Sequence, residues 1–143
     1  MFNEKVVILI KKISLEFDKI ANPILQDLNL TVAQYKIVKY LLLRQNEDAI
    51  QQEIEKFFSL THPTTIELLE KLEEKGFVTR IKNPADGRSR IIRLTEMALS
   101  KRDELIEVGN ILESKMTEGL NNAETKQLMK LLEKMLSGIN KSN

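Results

Sequence analysis

Apolar side chains recur at helical spacing along most of the chain. From about Glu4 to Ile20 they stand three or four residues apart, which predicts an amphipathic helix that stops or bends at Asn22-Pro23. The same periodicity predicts a second helix from about Val32 to Arg44. Four further helices are predicted over about 50–58, 62–75, 96–117 and 122–138.

Capping residues mark several of these helix ends. Thr31 precedes the second helix with Gln34 three residues on, and Asn121 with Glu124 repeats that arrangement before the last helix. Thr61 can cap the helix that follows the short turn 59–61. Gly76 stands where a C-terminal glycine is expected.

One segment has the character of a β-hairpin. Residues 77–82 and 88–94 are rich in β-branched side chains, and Asn83 to Gly87 between them is dense in turn formers. It is the only strand signal in the chain. Two short helices joined by a tight turn and followed by a hairpin predict a winged helix-turn-helix, so the fold class is mainly α with a small β-hairpin wing.

Composition narrows the class of protein. The 143 residues suit one domain. The sequence has no cysteine, which excludes disulfides, thiolate zinc sites and thiol-based sensing. No apolar run approaches the roughly 20 residues of a transmembrane helix, and the N-terminus lacks the features of a signal peptide. We therefore expect a cytoplasmic protein with no membrane association.

The charge is distributed unevenly. The formal net charge is only +1, but Val78 to Arg93 contains five basic side chains and one acid, a local charge of +4. The remaining seventeen basic and twenty acidic side chains give −3. A basic hairpin on a mildly acidic body suits a nucleic-acid contact. Charge alone equally suits a solvated hairpin.

No catalytic constellation is visible. His62 is the single histidine, which excludes a multi-histidine metal site, and no metal site is expected. Carboxylates such as Glu67 and Glu70 alternate with lysines in the manner of solvated helix pairs. We expect no enzyme activity and no cofactor.

The second helix of the helix-turn-helix begins with side chains that can hydrogen-bond to DNA. His62, Thr64 and Thr65 follow the turn, at the helix end that enters the major groove in such motifs. That end also attracts phosphate. His62 could equally be an ordinary surface histidine, and Glu67 one turn later would repel phosphates.

These segments resemble the MarR family of bacterial winged-helix transcriptional regulators, over nearly the whole length. The similarity is carried by LTVAQ at 30–34, LTHPT at 60–64, LLEKLEEKGFV at 68–78 and DGRSRIIRLT at 86–95. Ile66 and Glu67 depart from the commoner family pattern, which has a hydroxyl and a basic residue there. The wing with its Leu-Thr exit is the most specific of these motifs.

The resemblance implies a homodimer with recognition helices in successive major grooves and each wing at a minor groove. It further implies a ligand-responsive repressor on a near-palindromic operator, with a small anionic aromatic effector in a pocket that no residue identifies. Carried over by position, the residues that face DNA are Thr61, His62, Thr64, Thr65, Lys82, Arg88 and Arg90, with Asp86 supporting Arg88.

The predicted organisation has three segments within one compact domain. Residues 1–30 form an N-terminal dimerisation helix, 31–95 the DNA-binding lobe and 96–143 the C-terminal dimerisation helices. The terminal helices carry more apolar surface than one small lobe covers, which favours the dimer over simple core packing. A second hypothesis is a winged-helix protein-interaction module that docks its basic wing on an acidic partner.

Overall fold

The computed structural model describes residues 5–45 and 47–142. Helices and a small sheet alternate in the predicted order. The elements are α1 (Val6–Gln26), α2 (Val32–Leu43), β1 (Ala49–Ile50), α3 (Gln51–Phe58), α4 (His62–Glu74), β2 (Val78–Asn83), β3 (Asp86–Leu94), α5 (Glu96–Ser100), α6 (Arg102–Met116) and α7 (Asn122–Ser142). The predicted fold class, mainly helical with a hairpin wing, is confirmed.

The predicted helix caps are present. The Thr31 hydroxyl accepts from the Gln34 backbone N–H, and the Gln34 side chain accepts in return from the Thr31 N–H. Asn121 and Glu124 make the same reciprocal pair before α7. Gly76 has φ +84, a conformation that side chains rarely adopt, and it ends α4 as expected.

Helix α1 does not stop at Pro23, so of the stop or bend expected at Asn22-Pro23 the stop is excluded. It continues to Gln26, although Pro23 has no backbone N–H to donate to the preceding turn. The reason lies in packing, because Ala21 and Leu25, on either side of Pro23, are fully buried. Burying these side chains offsets the lost hydrogen bond.

The sheet has a third strand that the sequence pattern missed. Strand β1 pairs antiparallel with β3, placing Ala49 opposite Ile92 and Ile50 opposite Ile91. Strand β3 is therefore central, in the order β1-β3-β2. The expectation that Ile50 opens a helix was wrong, because Ile50 lies in the strand and its extended backbone (φ −94, ψ 142) forms the N-cap of α3.

Two predicted helix ends also differ. The long helix expected over about 96–117 is divided at Lys101, whose N–H bonds to the Ala98 carbonyl while the Ser100 hydroxyl bonds to the Met97 carbonyl. Such local bonds compete with the regular helical ladder. Helix α7 runs past Gly138, since a single glycine weakens an exposed helix without ending it.

The core fixes the helix pair against the sheet. Ile54 of α3, Leu69 and Leu72 of α4, and Phe77 and Ile92 of the hairpin are all almost fully buried. The buried Tyr35 of α2 donates a hydrogen bond to the Leu105 carbonyl at 2.9 Å, and burial raises the pKa of this phenol. The helix-turn-helix and the wing therefore share one hydrophobic core.

The chain forms two compact units, one ending at Gly109 and one beginning at Asn110. Within the described ranges, no helix combines the length and apolar content needed to cross a membrane. The dimerisation roles expected for the terminal segments stay predictions at this level.

Thr95 locks the end of the hairpin to the end of α4. Its N–H bonds to the Phe77 carbonyl, and its hydroxyl donates to the Gly76 carbonyl and accepts from the Ala98 N–H. Replacing Thr95 with alanine removes both hydroxyl bonds, so we expect the free energy of unfolding to fall by about 1–2 kcal/mol in urea denaturation. Thr79→Ala, on the exposed side of β2, is the matched control and should change it by less than about 0.5 kcal/mol. Equal values for the two variants would contradict the role of Thr95.

Candidate nucleic-acid interface

The first turn of α4 presents polar groups at the protein surface. Thr61 is the N-cap, and its hydroxyl accepts from the Thr64 N–H at 3.3 Å and donates to the Thr64 hydroxyl at 2.9 Å. Thr64 is exposed, and its own hydroxyl proton remains available to a ligand. The positive end of the helix and this hydroxyl can together receive a phosphate oxygen.

His62 occupies the first helical position and is exposed, as predicted. Its Nδ1 atom lies 2.6 Å from Oε1 of Glu55 and 3.4 Å from Nε2 of Gln51, both on α3. The ring is thus tethered on one side to the first helix of the pair. Its Nε2 edge remains for contacts with an external partner.

Thr65 does not face the surface, which corrects the predicted interface. The residue is fully buried, and its hydroxyl donates to the Thr61 carbonyl at 2.9 Å. It points toward the core because it lies one turn before Leu69 on the same side of α4. The tip of α4 therefore exposes Thr61, His62 and Thr64, and Thr65 supports the turn from within.

The wing carries an irregularity at its tip that places Arg88. Lys82 pairs with Arg90, but the next residue of β2, Asn83, pairs with Asp86. Three residues of β3, from Gly87 to Ser89, therefore have no paired residue in the register between β2 and β3. Such a bulge bends the strand and redirects its side chains. Arg88 stands in the middle of it and is exposed.

Polar side chains hold this bulge in shape. The Asp86 carboxylate accepts from the Arg88 backbone N–H at 3.0 Å, so Asp86 supports the main chain of Arg88. Asn83 donates to the buried Ser89 hydroxyl at 2.9 Å, and that hydroxyl donates to the Asp86 carbonyl at 3.1 Å. The guanidinium of Arg88 is left to extend from a braced loop.

Asn83 and Ser89 are site residues that sequence reasoning missed. The sequence pattern places Asn83 only in the turn and gives Ser89 no role. Their polar side chains at either end of a turn-rich segment are a weak signal, because the bond between them depends on the bulged register.

Ion pairs divide the basic side chains of the hairpin into two groups. Arg80 bonds to Glu73 at 3.0 Å, and Arg93 bonds to both carboxylate oxygens of Asp48 at 2.8 and 2.9 Å. The bond from Arg93 lowers the pKa of Asp48. In the part of the chain that the structure describes, Lys82, Arg88 and Arg90 have no carboxylate partner. These are the three basic residues that the sequence assigned to DNA.

The negative charge of Glu67, which was expected to repel phosphates, is partly neutralised by a neighbouring lysine. Glu67 is exposed on α4, and the Lys71 ammonium lies 3.7 Å from its carboxylate, one turn along. An exposed pair of this kind contributes little to stability, but it reduces the local negative charge. Ile66 beside it is half-buried and offers no polar group.

No group of three or more metal-ligating side chains occurs among residues 5–45 and 47–142.

A cleft of about 370 Å³ lies between the end of α2 and the end of β3. Its walls are Leu41, Gln45, Glu47, Asp48, Ile92, Arg93, Leu94 and Leu99.

Comparison with known proteins identifies the same segment. A family model described as the MarR family matches residues 30–89, from the start of α2 to the bulge of the wing. The multiple antibiotic resistance protein MarR of Escherichia coli strain K12 is 29% identical over 139 residues, which is 95% of each chain. The organic hydroperoxide resistance transcriptional regulator of Bacillus subtilis strain 168 is 29% identical over 131 residues, 91% of this chain and 86% of the relative.

Solved structures extend the similarity to the whole fold. The S. aureus MepR–DNA complex superposes with a TM-score of 0.87 at 27% identity, covering 95% of this chain and 99% of that one. A mutant MarR from E. coli complexed with operator DNA gives 0.80 at 29% identity, covering 90% and 91%. The relatives are transcription regulators, which are not enzymes, so the expected absence of enzyme activity is confirmed. Residues 30–89 are thus similar to the MarR family of winged-helix transcriptional regulators, and the relatives and solved structures extend this similarity over nearly the whole chain.

Proposed function

We propose that this chain binds double-stranded DNA as a homodimer and acts, in the cytoplasm, as a ligand-responsive repressor on a near-palindromic operator. The observation that carries the proposal is the pairing of two surfaces. Thr64 and His62 are exposed at the positive end of α4, and Arg88 extends from a braced bulge of the wing without a carboxylate partner among the described residues.

The solved DNA complexes of MepR and MarR support this assignment, because their proteins share the fold at 27% and 29% identity. In a winged helix-turn-helix, the second helix of the pair enters the major groove. A narrow minor groove has an enhanced negative potential that attracts an inserted arginine. We therefore assign major-groove contacts to Thr61, His62 and Thr64, minor-groove contact to Arg88, and phosphate contacts to Lys82 and Arg90.

The homodimer is supported by exposed apolar faces on the terminal helices. On α7, a stripe at helical spacing is formed by Leu128, Leu132, Met135 and Ile139, each between 39% and 54% exposed. On α1, the first half leaves apolar side chains in water at Val6, Val7, Ile8, Leu9, Ile10, Ile13 and Leu15. Contiguous apolar surface on this scale is typical of a protein interface.

In a dimer, the spacing of the two recognition helices can control both operator binding and its release. A dimer with two recognition helices about one turn of DNA apart, roughly 34–36 Å, covers one face of an operator. An effector that binds a form with a different spacing draws the protein away from DNA, since it shifts the population toward that form.

The cleft between α2 and β3 bears on the effector's chemistry. Its volume of about 370 Å³ is within the range of small-molecule sites. Among its charged walls, Arg93 already bonds to Asp48, and Glu47 adds a second acid. An effector bound in this cleft would meet two acids and one arginine, a lining that favours a neutral or cationic molecule over the anionic aromatic one that the resemblance implies.

Arg88 should carry a distinct part of the binding energy. We expect Arg88→Ala to weaken binding to a duplex selected from a random pool by at least about 1 kcal/mol and to reduce the salt slope by about one unit. Fluorescence anisotropy across a salt series measures both quantities. The loss occurs because the alanine variant no longer neutralises the groove or releases its counterions.

Arg93→Ala is the matched control for that variant. It removes the same charge from the same strand, but this guanidinium is held by Asp48. We expect its affinity and salt slope to stay near those of the wild type. Equal losses of affinity in the two variants would mean that the wing acts only through its total charge, which contradicts the role of Arg88. If the wild type binds no DNA even at low salt, the protein-interaction module is favoured instead.

Introducing charge into the apolar stripe of α7 should separate the subunits. We expect the wild type to sediment as a dimer and Leu132→Lys to sediment as a monomer, because an ammonium cannot be buried unpaired in an apolar interface. Lys134→Ala, on the exposed polar side of the same helix, should remain dimeric. Analytical ultracentrifugation distinguishes these results, and a monomeric wild type at micromolar concentration would refute the homodimer.

A further inference from the structure

The last side chain of the recognition helix reaches two other helices. Lys75 is the C-cap of α4 and is half-buried. Its ammonium donates to the Asn29 carbonyl at 2.8 Å and to Oε1 of Gln34 at 2.7 Å. Asn29 follows the end of α1, and Gln34 lies in the first turn of α2. One charged group therefore connects α1, α2 and α4.

The contact with Asn29 is electrostatically favourable. Asn29 has φ +59, and the bonds from Asn29 N–H to Gln26 and from Leu30 N–H to Leu25 close the helix terminus. The carbonyl end of a helix carries partial negative charge. Lys75 thus places its positive charge at the negative end of α1 while it stands at the negative end of its own helix.

The contact with Gln34 is anchored in the core. Gln34 is only 2% exposed, and its Oε1 also accepts from the Thr31 N–H, within the capping box of α2. This side chain cannot move without breaking the cap. The ammonium is therefore bonded to an acceptor of fixed position, and charge-assisted hydrogen bonds are stronger and shorter than neutral ones.

No other side-chain hydrogen bond or ion pair in the described ranges joins α4 to α1 or α2. His62 bonds to α3, and Glu73 bonds to Arg80 of β2. Packing by Leu69 and Leu72 holds α4 to the lobe, but apolar contact is not directional. Lys75 supplies the directional bonds between the recognition helix and the helix α1 whose exposed face we assign to the dimer.

We propose that Lys75 is a positioning residue for DNA recognition. It fixes the direction of α4 relative to α1 and so sets the distance between the two recognition helices of the dimer. The proposal rests on the proposed function. Its consequence is specific, because loss of the ammonium broadens the range of half-site spacings that the dimer accepts and leaves the contacts to each half-site intact.

The test uses the full-length protein and the half-site recovered by selection with the wild type. Duplexes carry two inverted copies whose centre-to-centre spacing varies in steps of one base pair. The measured quantity is the ratio between the dissociation constants at neighbouring spacings and at the optimum. The affinity for a duplex with one half-site is measured in parallel.

We expect Lys75→Met to lower that spacing ratio about tenfold relative to the wild type, since two charge-assisted bonds are lost. Single-half-site affinity should stay within about twofold, because Lys75 is placed away from the tip of α4. The methionine keeps the aliphatic stem, and Lys75 and Asn29 line an open cleft of about 300 Å³, so the variant should fold. A urea denaturation curve checks this.

Two further variants separate positioning from charge. Lys71→Met removes the same charge from the same helix, where the ammonium pairs with the exposed Glu67 of that helix, and should keep the wild-type ratio. Lys75→Arg retains a cationic donor and should restore most of the ratio. A Lys75→Met variant with an unaltered spacing ratio would overturn the inference. A wild type that binds one half-site but prefers no spacing would refute the dimeric function and the inference with it.

Discussion

Strand β3 is the element on which the rest of this lobe depends. It pairs with β1 on one side and β2 on the other, so the connection into the helix pair and the wing share one ladder. The adjacent side chains Ile91 and Ile92 are both buried, while Arg88, Arg90 and Arg93 are exposed. Because the strand is central, it fixes the position of the bulge at its start relative to α3 and α4. A displaced β3 would move the basic tip and the recognition helix apart.

Features that depend on neighbouring residues could be predicted from the sequence. The capping pairs Thr31–Gln34 and Asn121–Glu124 lie three residues apart, and the left-handed Gly76 follows from the chemistry of one position. The hairpin was visible because β-branched residues flank a cluster of turn formers. The resemblance assigned Lys82, Arg88 and Arg90 to DNA by position, and these are the wing's basic residues without a carboxylate partner among the described residues. Their contact with DNA stays a prediction.

Features that depend on distant residues could not be predicted in the same way. Strand β1 has two residues, too few for a periodicity, and its partner lies more than forty positions later. The burial of Thr65 depends on which face of α4 meets the core, and the continuation of α1 through Pro23 depends on Ala21 and Leu25. Ion pairs neutralise Arg80 and Arg93, so fewer basic side chains of the hairpin are left for an external partner than the sequence suggested. A count of charges cannot tell which of them are already neutralised.

In the proposed function, the tip of α4 and the tip of the wing are two parts of one DNA-binding surface, and β3 connects them. Hydrogen–deuterium exchange with and without the selected duplex tests this most directly, because it reports each segment separately. The account predicts that the backbone amides of His62, Thr64 and Thr65 and of residues 87–90 are protected together, at the same DNA concentration, while residues 126–134 of α7 do not change. Protection of the wing alone, or of neither segment, would contradict a joint surface.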